Sequence, residues 1–418
     1  MKRLRIINAN IFTPTGSEAV RGKAMGKLHH ITDGVIDAYD GIITYCGPSE
    51  EAPAIDTVES DVEIIDAAGR AVLPGFVDSH THLVFGGYRP EEFSWRMRGD
   101  TYMSIMERGG GIVSTMKATR EASEEELIDK ARHYLDVMSA MGVTTVEGKS
   151  GYGLDLDCEL KQLEVMAKLN AEPDRKVDIY STFLGAHAVP PEYAGRSGEY
   201  IDYIINTVLP EVQKRCLAES CDVFCEKGVF TIEESRRLLE TAKKMGFAVK
   251  IHADEIVDTG SASLAAELKA LSADHLLHAN HKGIVEMARN GVVATLLPLT
   301  AFTLRENFAP GRKMIDEGCA VALATDLNPG SCCSGSIPLT FALACIYMGF
   351  SVEEAVTAMT LNGAAAIGRA DTIGSLEEGK LADIVILDSD TPLMLPYYTG
   401  MNSVRTTIKR GRIVSGVL

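Results

Sequence analysis

Residues 72–85 read VLPGFVDSHTHLVF, an apolar run that closes on two histidines one residue apart, His80 and His82. Alternate side chains of a strand share a face, so these two rings can converge on one point. The run is one of eight of its kind. GVTTVEGKS (142–150), DIYSTFLGAHA (178–188), CDVFCE (221–226), AVKIHADE (248–255), SADHLLH (272–278), VVATLLP (292–298) and AVALATD (320–326) follow it. Amphipathic stretches such as EEELIDKARHYLDVMSAMG (124–142) and TIEESRRLLETAKKMG (231–246) separate them. Short apolar strands alternating with amphipathic helices predict an α/β chain with a closed parallel (β/α)8 barrel of the TIM type, whose chemistry sits at the C-terminal strand ends.

The two ends of the chain read differently. RIINANIF (5–12), GIITYCG (41–47) and VEIIDAAGRAVLPG (62–75) are strand-like, as are LADIVILDSD (381–390) and SVRTTIKRGRIVSG (403–416). Neither end completes a domain alone, so we expect a small composite β-sandwich from residues 1–71 and 375–418 around a barrel of residues 72–374.

At 418 residues with 46% hydrophobic and 24% charged side chains, the chain has the balance of a globular enzyme. Its net charge of −17 disfavours nucleic acid and anionic membranes as partners. An anionic small substrate would need a cation inside the pocket, and Arg89 is the first candidate. The absence of a long apolar segment and of a signal-peptide pattern at MKRLRIINANIFTP predicts a cytoplasmic protein. Nine cysteines without a regular spacing read as reduced thiols, with Cys216, Cys221 and Cys225 as core fillers. The GGGI at 109–112 lacks the Lys-Ser/Thr of a phosphate loop and reads as a turn.

Five of the ten histidines fall at or just past strand ends: His80, His82, His187, His252 and His275, with Asp326 ending the eighth run. One histidine at such a place is ordinarily a satisfied polar residue. Repetition around one rim favours a metal. His80, His82, His252 and Asp326 offer the nitrogen and carboxylate donors that suit Zn(II) or Fe(II), and a metal that makes its bound water acidic points to hydrolysis. Glu255, on the loop after His252, can move a proton between water and a leaving nitrogen, and His275 can orient the water or polarise the bond under attack. His278 and His281 read as surface or supporting residues, and His29, His30 and His133 have no partners in the pattern. Cys332 and Cys333 follow the Asp326 loop.

With HTH, HADE, SADHL and TDLNPGS in this order, the chain resembles the amidohydrolase superfamily. HTHLVFGGYRPEEF (80–93), GGGIVSTMKATR (109–120), TTVEGKSGYGL (144–154), TFLGAHAVPPEY (182–193), DVFCEKGVF (222–230) and LATDLNPGS (323–331) narrow the likeness to one branch along nearly the full chain. That branch opens the ring of 4-imidazolone-5-propanoate, in histidine degradation, to N-formimino-L-glutamate. The resemblance implies one Zn or Fe ion on His80, His82, His252 and Asp326, with Glu255 and His275 as acid/base pair. It places Arg89, Tyr102, Tyr152 and His187 against the substrate, together with Asn328, Gly330 and Ser331 on the last loop, and it implies a homodimer. Leu299 stands where the resemblance leads us to expect glycine. Lys149 invites comparison with carbamylated lysines that bridge two metals in other branches, but it lies in a segment matching the one-metal branch. A deaminase of a cyclic amidine or nucleobase would use the same donors, and a non-catalytic scaffold would have lost some of them.

Overall fold

Strands buried on both faces cannot alternate apolar with polar residues, which is why the eight runs read as near-continuous apolar sequence. In a computed structural model that describes residues 3–54, 62–100 and 110–417, they form one parallel sheet. The outer strands are β1 (Arg3–Thr13), β2 (His29–Tyr39), β3 (Ile42–Pro48), β4 (Val62–Asp66) and β5 (Ala71–Pro74). The barrel strands follow as β6 (Phe76–Thr81), β7 (Val143–Lys149), β8 (Asp178–Ala186), β9 (Ser220–Cys225), β10 (Ala248–Ala253), β11 (Ser272–His275), β12 (Val293–Leu296) and β13 (Ala320–Leu323). Each pairs with the next in sequence.

The barrel closes just past β13. Asp326 N donates to His80 O at 3.0 Å and His82 N to Leu327 O at 2.8 Å, so the first and last strands meet at residues 80–82 and 326–327. Buried Asp78 reinforces the seam by accepting from Thr325 N at 3.0 Å and Thr325 Oγ1 at 2.6 Å.

Helices between the strands start where the sequence supplies caps. Ser123 and Glu126 form a capping box on helix Glu124–Ala140, and Thr231 with Glu234 does the same on Ile232–Lys244. Each cap satisfies backbone donors that the first turn leaves open, a contribution of about 1 kcal/mol.

The chain ends build the second sheet, completed by β14 (Ile384–Leu387), β15 (Val404–Lys409) and β16 (Arg412–Gly416). What the sequence suggested as a sandwich is one hydrogen-bonded sheet in the order β16-β15-β14-β5-β1-β2-β3, with β4 on β1. It has its own apolar cluster, including Ile6, Ile11, Ile36, Val72, Ile384 and Ile408. The change of sheet does not come at residue 72. Ala71–Pro74 is a strand of the outer sheet, paired with β14, and the chain passes to the barrel at Gly75. A Cβ there would meet Thr144 Oγ1 at 2.3 Å, so only glycine lets the two sheets approach this closely. Neighbouring side chains divide between the cores: Val72 packs in the outer cluster and Leu73 in the barrel, each worth roughly 1.5–3 kcal/mol.

Leu299 sits in the first turn of helix Pro298–Leu304, buried against Cys332 and Leu343. Its backbone is not in the left-handed region, so the position makes no demand for glycine. Among the described residues no helix is long and apolar enough to cross a membrane.

Candidate active site

Lys250 and His252 alternate along β10, as do Asp78, His80 and, just past its end, His82 along β6. Alternation aims these side chains into the barrel interior. Ring nitrogens of His80, His82 and His252 lie within 4.8 Å of one another, all fully buried. Asp326 Oδ1 joins them, 3.6 Å from His80 Nε2 and 3.5 Å from His82 Nε2. Asp326 has a φ of +53°, a left-handed conformation that costs a non-glycine residue about 1–2 kcal/mol. Thr300 Oγ1 fixes its other oxygen at 2.7 Å.

These donors fit a divalent cation. Among the described residues His80 Nε2 and His252 Nε2 are buried without a hydrogen-bond partner, although buried polar atoms are nearly always paired. Burial holds all three histidines well below their ordinary pKa, so the rings are neutral and able to bind a metal. Burial also pushes the Asp326 carboxyl up to about 7, as expected for an acid whose counter-charge is a bound ion.

Below the donors lies a layer of charge of which the sequence reading singled out Lys149 alone. Lys149 Nζ meets Asp222 Oδ2 at 2.7 Å, Glu147 Oε1 at 3.1 Å and Asp274 Oδ2 at 3.4 Å. Lys250 Nζ pairs with Glu147 Oε2 at 2.7 Å. Two of the carboxylates touch the histidines from behind: Asp274 Oδ2 lies 2.7 Å from His80 Nδ1, and Asp222 Oδ2 lies 2.9 Å from His252 Nδ1. The hydrogen bond at His80 places the proton on Nδ1 and leaves Nε2 facing the other donors, whereas the His252 Nδ1 contact is a proximity without hydrogen-bond geometry. Burial alone would lower the Lys149 pKa, but Asp222, Glu147 and Asp274 outweigh it and hold the ammonium well above its ordinary value. Carbamylation requires the free amine, so this environment opposes the bridging role considered above. His80, Glu147 and Asp274 also come within 4.8 Å of one another, but two ammonium groups already occupy their carboxylates.

Glu255 and His275 flank the donors. Strand alternation from Asp274 would aim His275 away from the interior, but a φ of +75° turns it inward, and its ring lies 5.3 Å from that of His80 and 5.1 Å from that of His252. Its Nδ1 is 3.5 Å from Glu255 Oε1. Burial pushes the Glu255 carboxyl up to about 8, with Asp326 and Glu226 adding to the effect, and pushes His275 down to about 3.

His187 stacks on His82, centroids 4.9 Å apart, and the buried Tyr152 ring is 5.2 Å from His187. The His187 Nδ1 lies 3.1 Å from Gly151 O. Arg89 reaches the loop after β13, where a Cβ on Gly330 would fall 1.7 Å from its Nη2. Its Nε is buried and has no hydrogen-bond partner among the described residues, and Glu92 is 3.5 Å from Nη1. The Asn328 amide is engaged within its loop: Oδ1 accepts from Gly330 N and Ser331 N, both at 2.8 Å, and Nδ2 donates to Asp326 O at 2.8 Å. Asn328 therefore shapes the loop that presents Gly330 and Ser331. Tyr102 lies outside the described residues.

The remaining histidines stand apart. His278 and His281 are exposed, as are His29, His30 and His133. His29 and His30 line a cleft of about 580 Å³ on the outer sheet that contains none of the site residues. All nine cysteines are free thiols.

The chain is similar to known proteins along its whole length. Models described as the amidohydrolase family match residues 223–414 and 63–120. The imidazolonepropionase of Phocaeicola vulgatus is 65% identical over 411 residues, with 98% of each chain covered. The imidazolonepropionase of Clostridium tetani is 57% identical over 417 residues, 99% of each. Among solved structures, the 5-methylcytosine deaminase of Klebsiella pneumoniae superimposes with a TM-score of 0.71 at 18% identity, covering 99% of this chain and 98% of that one. The guanine deaminase of C. acetobutylicum does so at 0.65 and 17%, covering 99% and 100%. At those identities the two deaminases report on the fold.

Proposed function

The chain belongs to the imidazolonepropionases of the amidohydrolase family, and from that premise we propose how its residues divide the reaction. The reaction is hydrolysis of the ring C–N bond of 4-imidazolone-5-propanoate, giving N-formimino-L-glutamate in histidine degradation. His80, His82, His252 and Asp326 hold one divalent ion per chain, Zn(II) or Fe(II), since three imidazoles and a carboxylate suit both. When bound, the ion acidifies a water and polarises the ring carbonyl.

Arg89 receives the propanoate carboxylate, assisted by Tyr152, by His187 and, from the family likeness, by Tyr102. Gly330 and Ser331 close that side of the pocket. Glu255 takes the proton of the attacking water and delivers it to the departing ring nitrogen. His275 stays neutral and steadies the developing oxyanion.

The observation that carries this reading is the meeting, at one end of the barrel, of four cation donors and an arginine whose Nε has no partner among the described residues. The test follows the ultraviolet absorbance of imidazolone propanoate with and without chelator, beside metal analysis of the protein. Turnover that persists after complete metal removal refutes it. A cyclic-amidine deaminase would share the donors but not the carboxylate requirement, so Arg89→Ala separates the two by its KM.

We also propose a homodimer that works in the cytoplasm on a small anionic substrate. Nine free thiols suit a reducing compartment. Exposed Ile346, Tyr347, Leu393 and Tyr397 offer apolar surface to a second copy, and sedimentation gives the mass.

A further inference from the structure

We propose that Glu226 is a positioning residue for Glu255, an inference that rests on the proton-transfer role given to Glu255 above. Glu226 follows β9, next to the strand that leads into the Glu255 loop, and is 2% exposed. Among the described residues it forms no ion pair. Its Oε2 accepts from Ile256 N at 2.8 Å and from Val257 N at 3.5 Å, and its Oε1 from Lys227 N at 2.7 Å. A buried carboxylate without a cation is costly, and here its charge is met by backbone amides alone.

The amides it holds are those directly after Glu255. Among the described residues the Glu255 side chain makes no hydrogen bond, its nearest ion-pair partner being His275 at 3.5 Å, so its place over the donors is set by its own backbone. That backbone is fixed at two points. Asp254, buried with a φ of +47°, accepts from Thr259 N, Ser261 N and Ala262 N, and holds the far end of the loop. Glu226 holds the near end from the neighbouring strand. Without it, Ile256 N would be left unpaired and the segment carrying Glu255 could move by the ångström or so that proton transfer does not tolerate.

The test compares Glu226→Ala, Glu226→Gln and Glu255→Gln in the metal-loaded enzyme. A misplacement of about 1 Å lowers turnover on the order of 100-fold. Glu226→Ala is expected to lower kcat by about that factor, with KM and metal content unchanged and faster amide exchange confined to the peptide containing 254–258. Glu226→Gln keeps an acceptor for Ile256 N and is expected to recover most of the loss. In a double variant with Glu255→Gln, Glu226→Ala is expected to cost nothing further. An unchanged kcat in Glu226→Ala, equal losses in Ala and Gln, or a parallel fall in metal content overturns the proposal. If Glu255→Gln is itself fully active, the assignment of Glu255 fails; if it is inactive while Glu226→Ala is active, only the positioning role fails.

Discussion

Gly330→Ala tests the carboxylate anchor without touching it. The added methyl would sit 1.7 Å from Arg89 Nη2 and 2.6 Å from Cζ, and non-bonded carbon does not approach closer than 3.0 Å. The guanidinium must therefore retreat by about 1.3 Å or swing away. A charge-assisted hydrogen bond of ~2.8 Å lengthened by that much is broken. Such bonds contribute about 1.5–3 kcal/mol, so KM for imidazolone propanoate is expected to rise roughly 10- to 150-fold. kcat is expected to stay within a few-fold, because the tail binds equally in ground and transition states. Steady-state kinetics on Gly330→Ala, Arg89→Ala and the double variant give the answer. If the glycine acts through Arg89, the double variant is no worse than Arg89→Ala alone. A wild-type KM in Gly330→Ala, or losses that simply add, would refute the reasoning.

Three further predictions concern the buried charges. Asp274→Asn keeps the shape beside His80 but weakens the hold on its Nδ1 proton; metal affinity, read by competition with a chelator, is expected to fall about 10- to 100-fold. Lys149→Met leaves Glu147, Asp222 and Asp274 short of a counter-charge and is expected to lower stability by roughly 3–5 kcal/mol in denaturant titrations, with bicarbonate making no difference to either protein. The third is a pH effect. The Glu255 carboxyl, about 8 in the fold against roughly 4.3 in an unfolded chain, contributes stability that is complete below the lower value and lost as pH rises through the higher. Metal-free protein is expected to weaken between about pH 4.5 and 8, and Glu255→Gln to flatten that slope; identical slopes would count against it.

The barrel was legible because burial on both faces writes itself as uninterrupted apolar runs, and all eight correspond to observed strands. The donors were legible because histidines recur at the ends of those runs. What escaped notice obeys the same two-residue period, read backwards from the ends: Lys250 lies two before His252, Asp78 two before His80, and Glu147 two before Lys149, the one member of the layer that the sequence did raise. Charged residues inside an apolar run were a signal for the layer beneath the site. The hand-over at Gly75 escaped because an apolar strand leaving one sheet and entering another has no break in its pattern. His275 and Asp326 reach the site through left-handed backbone, which a side-chain period does not report. Glu226 acts on main-chain amides, and these leave no mark in the side-chain sequence.

The seam of the barrel gives the site a history. Three of the four donors stand at the junction where the first strand meets the segment after the last, His80 and His82 on one side and Asp326, nearly 250 residues later in the chain, on the other. A cation bound across it would act as a clasp on the cylinder, holding shut a very long loop whose closure entropy has already been lost in building the barrel. During synthesis no cation site is complete until the last of its strands has emerged. Metal loading would thus report on finished folding, and loss of the metal would loosen first the junction between β6 and the segment after β13.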